Sequence, residues 1–277
     1  MLLALDVGNT NVTVGLYAAA PAGAGGGAPL RSWRLETRRA RTADEYGLWL
    51  VRAFRLAGLD PGAVTAAAMA SVVPPLTPVL VEMCRRYFGA EPLIVSSRLR
   101  SLPAVRYEDP SALGADRLAN AVAAWVLHGG GDPTGGGAPG ERATVAVDFG
   151  TATKLEVVAA DGTYLGGSIA PGVGISTEAL FESAARLARV ELVAPPRVLG
   201  RNNAAAMQSG ILYGFAGQVE GLLRRVREEL GEELRVVGTG GLAHVVAPHC
   251  RCLDTVDPWL TLAGIRLIWE WNRPPGT

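Results

Sequence analysis

The sequence has no long hydrophobic run and no excess of charge of either sign. No stretch approaches the roughly 20 apolar residues that span a bilayer. The apolar N-terminal residues meet Asp6 too soon, and without a basic flank, to form a signal segment. Lys and Arg together number 26, as do Asp and Glu, so no global field attracts nucleic acid or an anionic membrane. We therefore expect neither as a partner.

Cysteine and histidine are also scarce. Three cysteines are too few for a disulfide framework, and Cys250 and Cys252 lack the second pair of ligands that a zinc site needs. The three histidines show neither ligand spacing nor acid–base spacing. These absences favour a cytoplasmic protein with reduced thiols. Hydrophobic residues, by contrast, make up 49% of the 277 residues, which is enough for the cores of two compact lobes or for one large α/β domain.

The chain contains two similar halves. In the first, an apolar strand ends at Asp6, a Gly-Asn-Thr turn follows, and a second strand runs from Asn11 to Tyr17. In the second, a strand ends at Asp148, and a Gly-Thr turn leads into the next strand. Each half continues with a third strand and a helix, which is typical of an α/β fold. Two equivalent halves predict a cleft between them.

Glycine-rich tracts divide the chain. We assign residues 1–128 to a first lobe and residues 141–277 to a second, joined by a Gly/Pro-rich loop at 129–140. A similar tract at 18–29 has no periodicity, so it is predicted to be an extended loop tip.

Helix boundaries follow from capping residues and apolar spacing. Thr42 and Glu45 form a capping-box pattern that starts a helix. The apolar spacing after Met207 predicts a long helix that begins there. A last helix follows Pro258, and we expect its tryptophans to pack against the second lobe.

The two threonine-containing turns carry the clearest chemistry. Each follows a carboxylate at the end of a buried strand, Asp6 or Asp148, with small residues that let backbone N–H groups approach a polyphosphate. The carboxylate can hold a cation that neutralises the phosphates. One such turn alone is more simply a β-hairpin, but two in register, one in each lobe, favour nucleotide binding.

A third candidate is the glycine-rich turn from Val237 to Leu242, which links an apolar strand to a short helix. Its glycines suit the close approach of an adenosine, or of a phosphate at the helix N-terminus. It lacks the Gly-Lys-Ser/Thr of a P-loop, and it does not have the dinucleotide pattern either. A chain reversal with glycines at positive φ is an equally good interpretation of this turn alone.

The fourth candidate is Asp116 with Arg117, near the start of a helix that runs to about Leu127. As a catalytic carboxylate, Asp116 would accept the proton of an acceptor hydroxyl. Arg117 would bind an anionic group on the acceptor or steady the transferring phosphoryl. Acidic side chains are also common at helix starts because the helix dipole favours them, so both interpretations stay open for these residues.

Six segments resemble, in the same order, those of type III pantothenate kinases, a family within the actin, hexokinase and Hsp70 ATPase superfamily. They are DVGNT, GADR, DFGTAT, DGTYLGGSIAPG, AMQSGI and GTGG, and the resemblance covers nearly all of the chain. It implies two ribonuclease H-like lobes of the actin-like ATPase type with a cleft between them. It also implies ATP-dependent phosphorylation of pantothenate at its primary hydroxyl, the first committed step towards coenzyme A.

The resemblance further implies cofactors, a partner and roles for individual residues. The cofactors are Mg²⁺ with ATP and a monovalent cation, K⁺ or NH₄⁺, and the assembly is a homodimer with the site near the subunit interface. Asp116 is the general base, Asp6 lies near Mg²⁺ through water, and Asp148 binds the monovalent cation. The implied ATP-binding residues are Asp6, Val7, Gly8, Asn9, Thr10, Asn11, Val12, Thr13, Thr151, Gly238, Gly240 and Gly241. The implied pantothenate-binding residues are Tyr107, Gly114, Ala115, Asp116, Arg117 and Asn203.

Two departures from the family pattern bear on substrate affinity more than on the reaction class. Asn203 stands where the family usually has Thr, although Asn can still donate and accept hydrogen bonds. The run Lys154-Leu155-Glu156 stands where Thr-Phe-Asp is more usual.

Two functions besides pantothenate kinase fit the same fold. One is a non-catalytic nucleotide-binding accessory or regulatory protein, and the other is a kinase of another small hydroxy metabolite. The complete set of Asp6, Asp116 and Asp148 favours catalysis, because a protein that only binds nucleotide does not need it.

Overall fold

The computed structural model describes residues 1–18, 27–132, 139–183 and 189–273. Most of the two predicted glycine-rich loops lies outside the described residues, at 19–26 and 133–138. Across the described ranges, every helix is too short or too polar to cross a lipid bilayer.

The chain forms two five-stranded mixed sheets, one in each half of the sequence. The strands of the first sheet are β1 (Leu2–Val7), β2 (Asn11–Tyr17), β3 (Arg31–Glu36), β4 (Ala66–Ser71) and β5 (Pro92–Ile94). The strands of the second sheet are β6 (Thr144–Phe149), β7 (Ala152–Val158), β8 (Tyr164–Pro171), β9 (Arg235–Thr239) and β10 (Thr255–Val256). The spatial orders are β3-β2-β1-β4-β5 and β10-β9-β6-β7-β8.

The two sheets are built in the same way. The first strand of each half, β1 or β6, pairs antiparallel with the next strand and parallel with a later one, β4 or β9. A third antiparallel strand and a further parallel strand extend the two sides. This internal repeat confirms the predicted α/β fold of two actin-like lobes.

Seven α-helices lie around these sheets within the described residues. They are α1 (Ala43–Leu56), α2 (Thr77–Phe88), α3 (Ala115–Ala123), α4 (Val173–Ser183), α5 (Asn203–Leu230), α6 (Ala243–Val246) and α7 (Leu260–Asn272). A π-helical turn, Ala124–His128, extends α3. The predicted capping box of α1 is confirmed, because Thr42 and Glu45 each accept a backbone hydrogen bond from the other residue.

The long helix α5 begins at Asn203 rather than at the predicted Met207. The side chain of Asn202 accepts a hydrogen bond from the Ala205 N–H group and so caps the helix. The three alanines that precede Met207 carry no apolar periodicity, which is why the pattern alone set the start too late.

Alternation along the strands determines how the layers pack. Leu3 and Leu5 of β1 pack with α1 and α2 on the outer face of the first sheet. Leu2 and Ala4 point the other way, into a central layer that contains α3 and α7. In the second sheet Ala146 of β6 faces the same central layer, while α5 covers the outer face. Helix α3 therefore lies between the two sheets and contacts both.

The C-terminal helix corrects one prediction. Helix α7 packs on α3 and on β1, β2 and β4 of the first sheet, not on the second lobe. Its Gly264 lies so close to α3 that a methyl group there would sit 1.9 Å from the carbonyl oxygen of Ala119. The apolar pattern predicts the helix but not its partner, because the chain returns to the first sheet only after the second is complete.

Candidate active site

Strand alternation brings two carboxylates towards the central layer. Asp6 continues the row of β1 residues that faces this layer, and Asp148 continues the equivalent row of β6. Asp116 lies in the first turn of α3, the helix between the sheets. The charges of Asp116 and Asp148 both act on Asp6. The structure thus brings the three predicted carboxylates together around one cleft.

One lysine contacts two of these three carboxylates. Lys154 pairs with Asp148 across the β6–β7 ladder, and its Nζ lies 2.9 Å from Asp148 Oδ2. The same Nζ donates a hydrogen bond to Asp116 Oδ2 at 2.6 Å. Burial acts to lower the pKa of Lys154, but the attraction of the two carboxylates outweighs burial and raises that pKa above its ordinary value. Lys154 is therefore a permanent cation that links β6, β7 and α3.

Unlike Asp116 and Asp148, Asp6 does not pair with the Lys154 ammonium. Burial first, and then the charges of Asp116 and Asp148, raise the pKa of Asp6 to about 7, while Lys154 and Arg34 offset only part of this. A buried carboxylate in such a field favours a nearby cation, so its chemistry fits a Mg²⁺ ion that arrives with ATP. Within the described ranges, no group of three His, Cys, Asp or Glu side chains could hold a metal alone.

The turns that follow β1 and β6 meet across the cleft. The hydroxyl oxygens of Thr10 and Thr151 lie 2.8 Å apart. The first turn is closed by a hydrogen bond of 3.0 Å from the Gly8 N–H group to the Asn11 carbonyl. The hydroxyl of Thr37, just beyond β3, also donates to the Gly8 carbonyl at 2.6 Å. The two predicted phosphate loops are thus joined to each other, one from each sheet.

The predicted ATP-binding residues of the first turn differ in what they can offer. Val7 and Val12 are buried in the outer core of the first sheet, so only their backbone groups are available to a ligand. Asn9 and Thr10 are exposed. Thr13 lies opposite Asp6 in the β1–β2 ladder, at the position that Lys154 holds beside Asp148 in the second sheet.

The glycine-rich turn lies against the second carboxylate. Gly240 has a φ of +97°, and a methyl group there would sit 2.4 Å from Asp148 Oδ1. Gly241 lies near the guanidinium of Arg34, which reaches across from β3. Gly238, in contrast, is buried within β9 against Leu253. Only the second and third of these glycines border the cleft, and positive φ at Gly240 explains the need for glycine there.

Arg117 sits in a buried polar network beside Asp116. Its Nε donates to both carboxylate oxygens of Glu156, at 2.8 and 3.0 Å. Its other nitrogens donate to the hydroxyls of Tyr107 at 3.3 Å and Tyr164 at 2.8 Å. The Tyr164 hydroxyl in turn donates to Glu156 at 2.7 Å. The network holds the guanidinium rigidly next to the start of α3, and it brings together two predicted pantothenate contacts, Tyr107 and Arg117.

Close contacts surround the side chain of Asp116 at the start of α3. Gly114 precedes the helix, and a methyl group there would sit 2.7 Å from Asp116 Oδ1. The same oxygen accepts a hydrogen bond of 2.8 Å from the Arg117 N–H group. Ala115 is buried beneath them. These contacts fix the direction of the Asp116 carboxylate.

Asn203 lies in a different environment from the other predicted pantothenate contacts. It is exposed at the start of α5 and lines a groove of about 550 Å³ between α4 and α5. Apolar side chains, including Leu180 and Phe215, form most of that groove. The single chain therefore does not bring Asn203 into the network around Asp116.

Four site residues had no predicted role. Lys154 and Glu156 appeared only as departures from a family pattern, Tyr164 appeared only within the segment DGTYLGGSIAPG, and Arg34 was not singled out. Lys154 and Glu156 are two residues apart on β7, so their side chains share one face of the sheet. This shared face was the one sequence signal that they could contact Asp116 and Arg117. It could be used only once α3 was known to cover β7.

Known proteins match this chain along its length. A family model described as type III pantothenate kinase matches residues 2–225. A type III pantothenate kinase 1 of Symbiobacterium thermophilum is 50% identical over 277 residues, covering 99% of this chain and 98% of that protein. A type III pantothenate kinase of Moorella thermoacetica is 46% identical over 273 residues, covering 98% of this chain and 100% of that protein. Sequence similarity thus includes both sheets and the helix between them.

Two solved structures share the fold at low sequence identity. A chain described as a Baf family transcriptional activator from Campylobacter jejuni has a TM-score of 0.59 at 16% identity, with 98% of each chain covered. A chain described as a 2-dehydro-3-deoxygalactonokinase from Sinorhizobium meliloti has a TM-score of 0.56 at 14% identity, covering 100% of this chain and 98% of the other. At such identities these likenesses bear on the fold alone, and they agree with the two-lobed architecture.

Proposed function

Because the chain belongs to the type III pantothenate kinase family, we propose that it transfers the γ-phosphoryl group of ATP to the primary hydroxyl of pantothenate. The products are 4′-phosphopantothenate and ADP, and the reaction is the first committed step towards coenzyme A. One observation carries the proposal. The Lys154 ammonium joins Asp116 to Asp148, and the charges of both carboxylates act on Asp6. The two turns that follow Asp6 and Asp148 meet, with their threonine hydroxyl oxygens 2.8 Å apart.

On the nucleotide side, the two turns cradle the phosphates. Their backbone N–H groups and the hydroxyls of Thr10 and Thr151 supply hydrogen-bond donors. Half-buried Gly240 and exposed Gly241 would lie beside the adenosine end. Mg²⁺ bound with ATP would lie near Asp6 through water, and it would neutralise charge on the phosphates.

On the acceptor side, Asp116 is the general base. It accepts the proton of the hydroxyl as that oxygen forms a bond to the γ-phosphorus, and the bond from this phosphorus to the bridging oxygen breaks to release ADP. Lys154 orients the Asp116 carboxylate from 2.6 Å. Arg117 and Tyr107 would bind the anionic end of pantothenate.

We further propose that a second copy of the chain completes the site. Asn203 is the predicted pantothenate contact that lies outside the Asp116 network, and it borders the apolar groove between α4 and α5. Leu180, which lines this groove, is exposed, as is Ile175 at the start of the same helix, α4. A two-fold contact through this groove would cover those apolar side chains and would place Asn203 at a subunit boundary.

A cytoplasmic location agrees with this chemistry. The enzyme needs ATP, and its three cysteines, Cys84, Cys250 and Cys252, are all free thiols. Free thiols are typical of a reducing compartment.

Product formation tests the proposed function. Purified protein is incubated with ATP, Mg²⁺ and pantothenate, and the product is identified by mass spectrometry. We expect pantothenate to gain one phosphoryl group while an equal amount of ADP forms. Sugars and other hydroxy metabolites at the same concentration serve as controls, and a preference for one of them would assign another acceptor. Nucleotide binding without transfer to any acceptor would support an accessory protein instead.

A further inference from the structure

The chain uses lysine at a single position. Of its 26 Lys and Arg residues, Lys154 is the one lysine and all the others are arginine. The two side chains differ in shape, because an ammonium is a compact point charge with three donors and a guanidinium is a planar fork. A composition that selects arginine everywhere else points to a specific need for an ammonium at this position.

The ammonium of Lys154 lies between two carboxylates and away from solvent. Nζ is 2.6 Å from Asp116 Oδ2 and 2.9 Å from Asp148 Oδ2. The side chain of Lys154 is 14% exposed, and those of Asp116 and Asp148 are 17% and 12% exposed. These contacts are therefore little screened by water, and the lysine holds an acidic group from each side of the cleft.

The carboxylate of Asp148 does not fit an additional monovalent cation. The family resemblance assigns such an ion to Asp148, but Oδ2 of that residue already accepts the Lys154 ammonium at 2.9 Å. A K⁺ ion on the same carboxylate would be repelled by this ammonium in a partly dehydrated site. Ammonium is also one of the two ions that the resemblance implies, and Lys154 supplies that chemical group from the chain itself.

We propose that the ammonium of Lys154 is a built-in monovalent cation that takes the place of the exchangeable ion at Asp148, so that this kinase works without K⁺ or NH₄⁺. The inference rests on the proposed kinase function. Because the cation is covalently tethered to β7, its occupancy does not depend on the ionic composition of the solution, and it stays beside Asp116 through every turnover.

The response of the unmodified enzyme to salts is the first test. Phosphopantothenate formation is measured in tetramethylammonium chloride, KCl and NH₄Cl at one ionic strength of about 0.1 M, with ATP supplied as its Tris salt. We expect the three rates to agree within about twofold. Stimulation by K⁺ or NH₄⁺ of about tenfold or more would overturn the inference while leaving the kinase function intact. Absence of product in every salt would instead refute the proposed function.

Ion binding gives a readout that needs no activity. Because the chain has one lysine, labelling lysine with ¹⁵N at Nζ gives one side-chain ammonium signal in NMR spectra of the whole protein. We expect that signal to be unchanged when KCl replaces tetramethylammonium chloride. A shift that saturates with K⁺ would show an ion bound beside Lys154, and it would overturn the inference even if no acceptor were phosphorylated.

Removing the lysine should create the ion requirement. In Lys154→Thr the two carboxylates lose their cation, so we expect the rate in tetramethylammonium chloride to fall about tenfold or more and NH₄⁺ or K⁺ to restore part of it. The same ions should raise the melting temperature of this variant but not that of the unmodified protein. Arg31→Thr, which removes one positive charge from the exposed first residue of β3, is the matched control.

A failure of Lys154→Thr to gain a response to either ion, although the variant folds, would contradict the proposal. If the variant does not fold, the salt response and the NMR signal of the unmodified protein still decide the question.

Discussion

The two sheets place a carboxylate at the same position but compensate its charge differently. Asp6 lies opposite Thr13 in the β1–β2 ladder, and Asp148 lies opposite Lys154 in the β6–β7 ladder. Burial raises the pKa of both carboxylates, that of Asp6 to about 7. At Asp148 an ammonium 2.9 Å away opposes this rise. One repeat thus leaves a charge for an arriving cation to neutralise, and the other carries its own cation. Duplicated halves can therefore diverge in chemistry through one residue on a neighbouring strand.

The largest effect is expected at Asp116, which connects the two halves. Asp116→Asn keeps the size of the side chain but removes the base, and a positioned base contributes about 10²–10⁴-fold. We expect kcat to fall by at least about 10²-fold with a smaller change in KM. Asp60→Asn makes the same chemical change at an exposed capping residue, where Asn can also cap. A near-normal rate for Asp116→Asn would remove this residue from the mechanism.

Introducing a lysine into the first half, at the position equivalent to Lys154, should impair the use of Mg·ATP. Thr13→Lys places an ammonium opposite Asp6, as Lys154 lies opposite Asp148. This charge would compete with Mg²⁺ near Asp6, so we expect kcat/KM for Mg·ATP to fall about tenfold or more. Thr13→Met adds similar length without charge and serves as the control. Equal losses in both variants would attribute the effect to size and not to charge.

Asp148→Asn should destabilise the folded protein, whereas Asp6→Asn should stabilise it. Asp148→Asn leaves Lys154 with one ionised partner, and breaking a buried pair costs up to about 3–5 kcal/mol. Asp6→Asn removes a poorly compensated charge, so it should stabilise the ligand-free protein. Since about 1 kcal/mol shifts the melting temperature by roughly 2–4 °C at this size, both changes are measurable by calorimetry at pH 8 without Mg²⁺. Shifts of the same sign would mean that the two carboxylates are compensated alike.

The pH dependence of stability offers the finest test. The folded pKa of Asp6 is about 7, while an unfolded Asp has a pKa near about 4. Between these values the folded protein binds more protons, so its stability falls as pH rises and the fall ends above about pH 7. At about 1.4 kcal/mol per pKa unit, the loss from pH 5 to 7 is up to about 3 kcal/mol. Comparing denaturant unfolding of the unmodified protein with that of Asp6→Asn isolates this contribution, and parallel pH profiles would contradict it.

Local pattern was sufficient to predict most of the elements but not how they meet. The apolar runs that end at Asp6 and Asp148, and the capping box at Thr42, depend on neighbours in sequence, so the strands and α1 were predicted correctly. The start of α5 was missed because the cap is made by one side chain, that of Asn202. The packing of α7 was wrong because its partner is decided by tertiary contacts.

The chemistry of the cleft shows the same limit. Asp6 and Asp148 can be recognised as candidates from the sequence, because each lies at the end of an apolar run that predicts a strand. The pairing of Lys154 with Asp116, which are 38 positions apart, depends on α3 lying across β7. Lys154, which in the sequence is a departure from the family pattern, therefore contacts two of the three candidate carboxylates. The role proposed for Asn203 similarly depends on a second copy of the chain, which would cover the groove that Asn203 lines.

The close contact between Gly264 and Ala119 has a consequence for synthesis. The helix that carries Asp116 rests on the last helix of the chain, with no room for even a methyl group between them. Because α7 follows the second sheet in sequence, the first sheet is synthesised early, yet its inner face is covered only after α7 has been made. A nascent polypeptide without α7 should thus lack the packing that holds α3, and with it Asp116, against the first sheet.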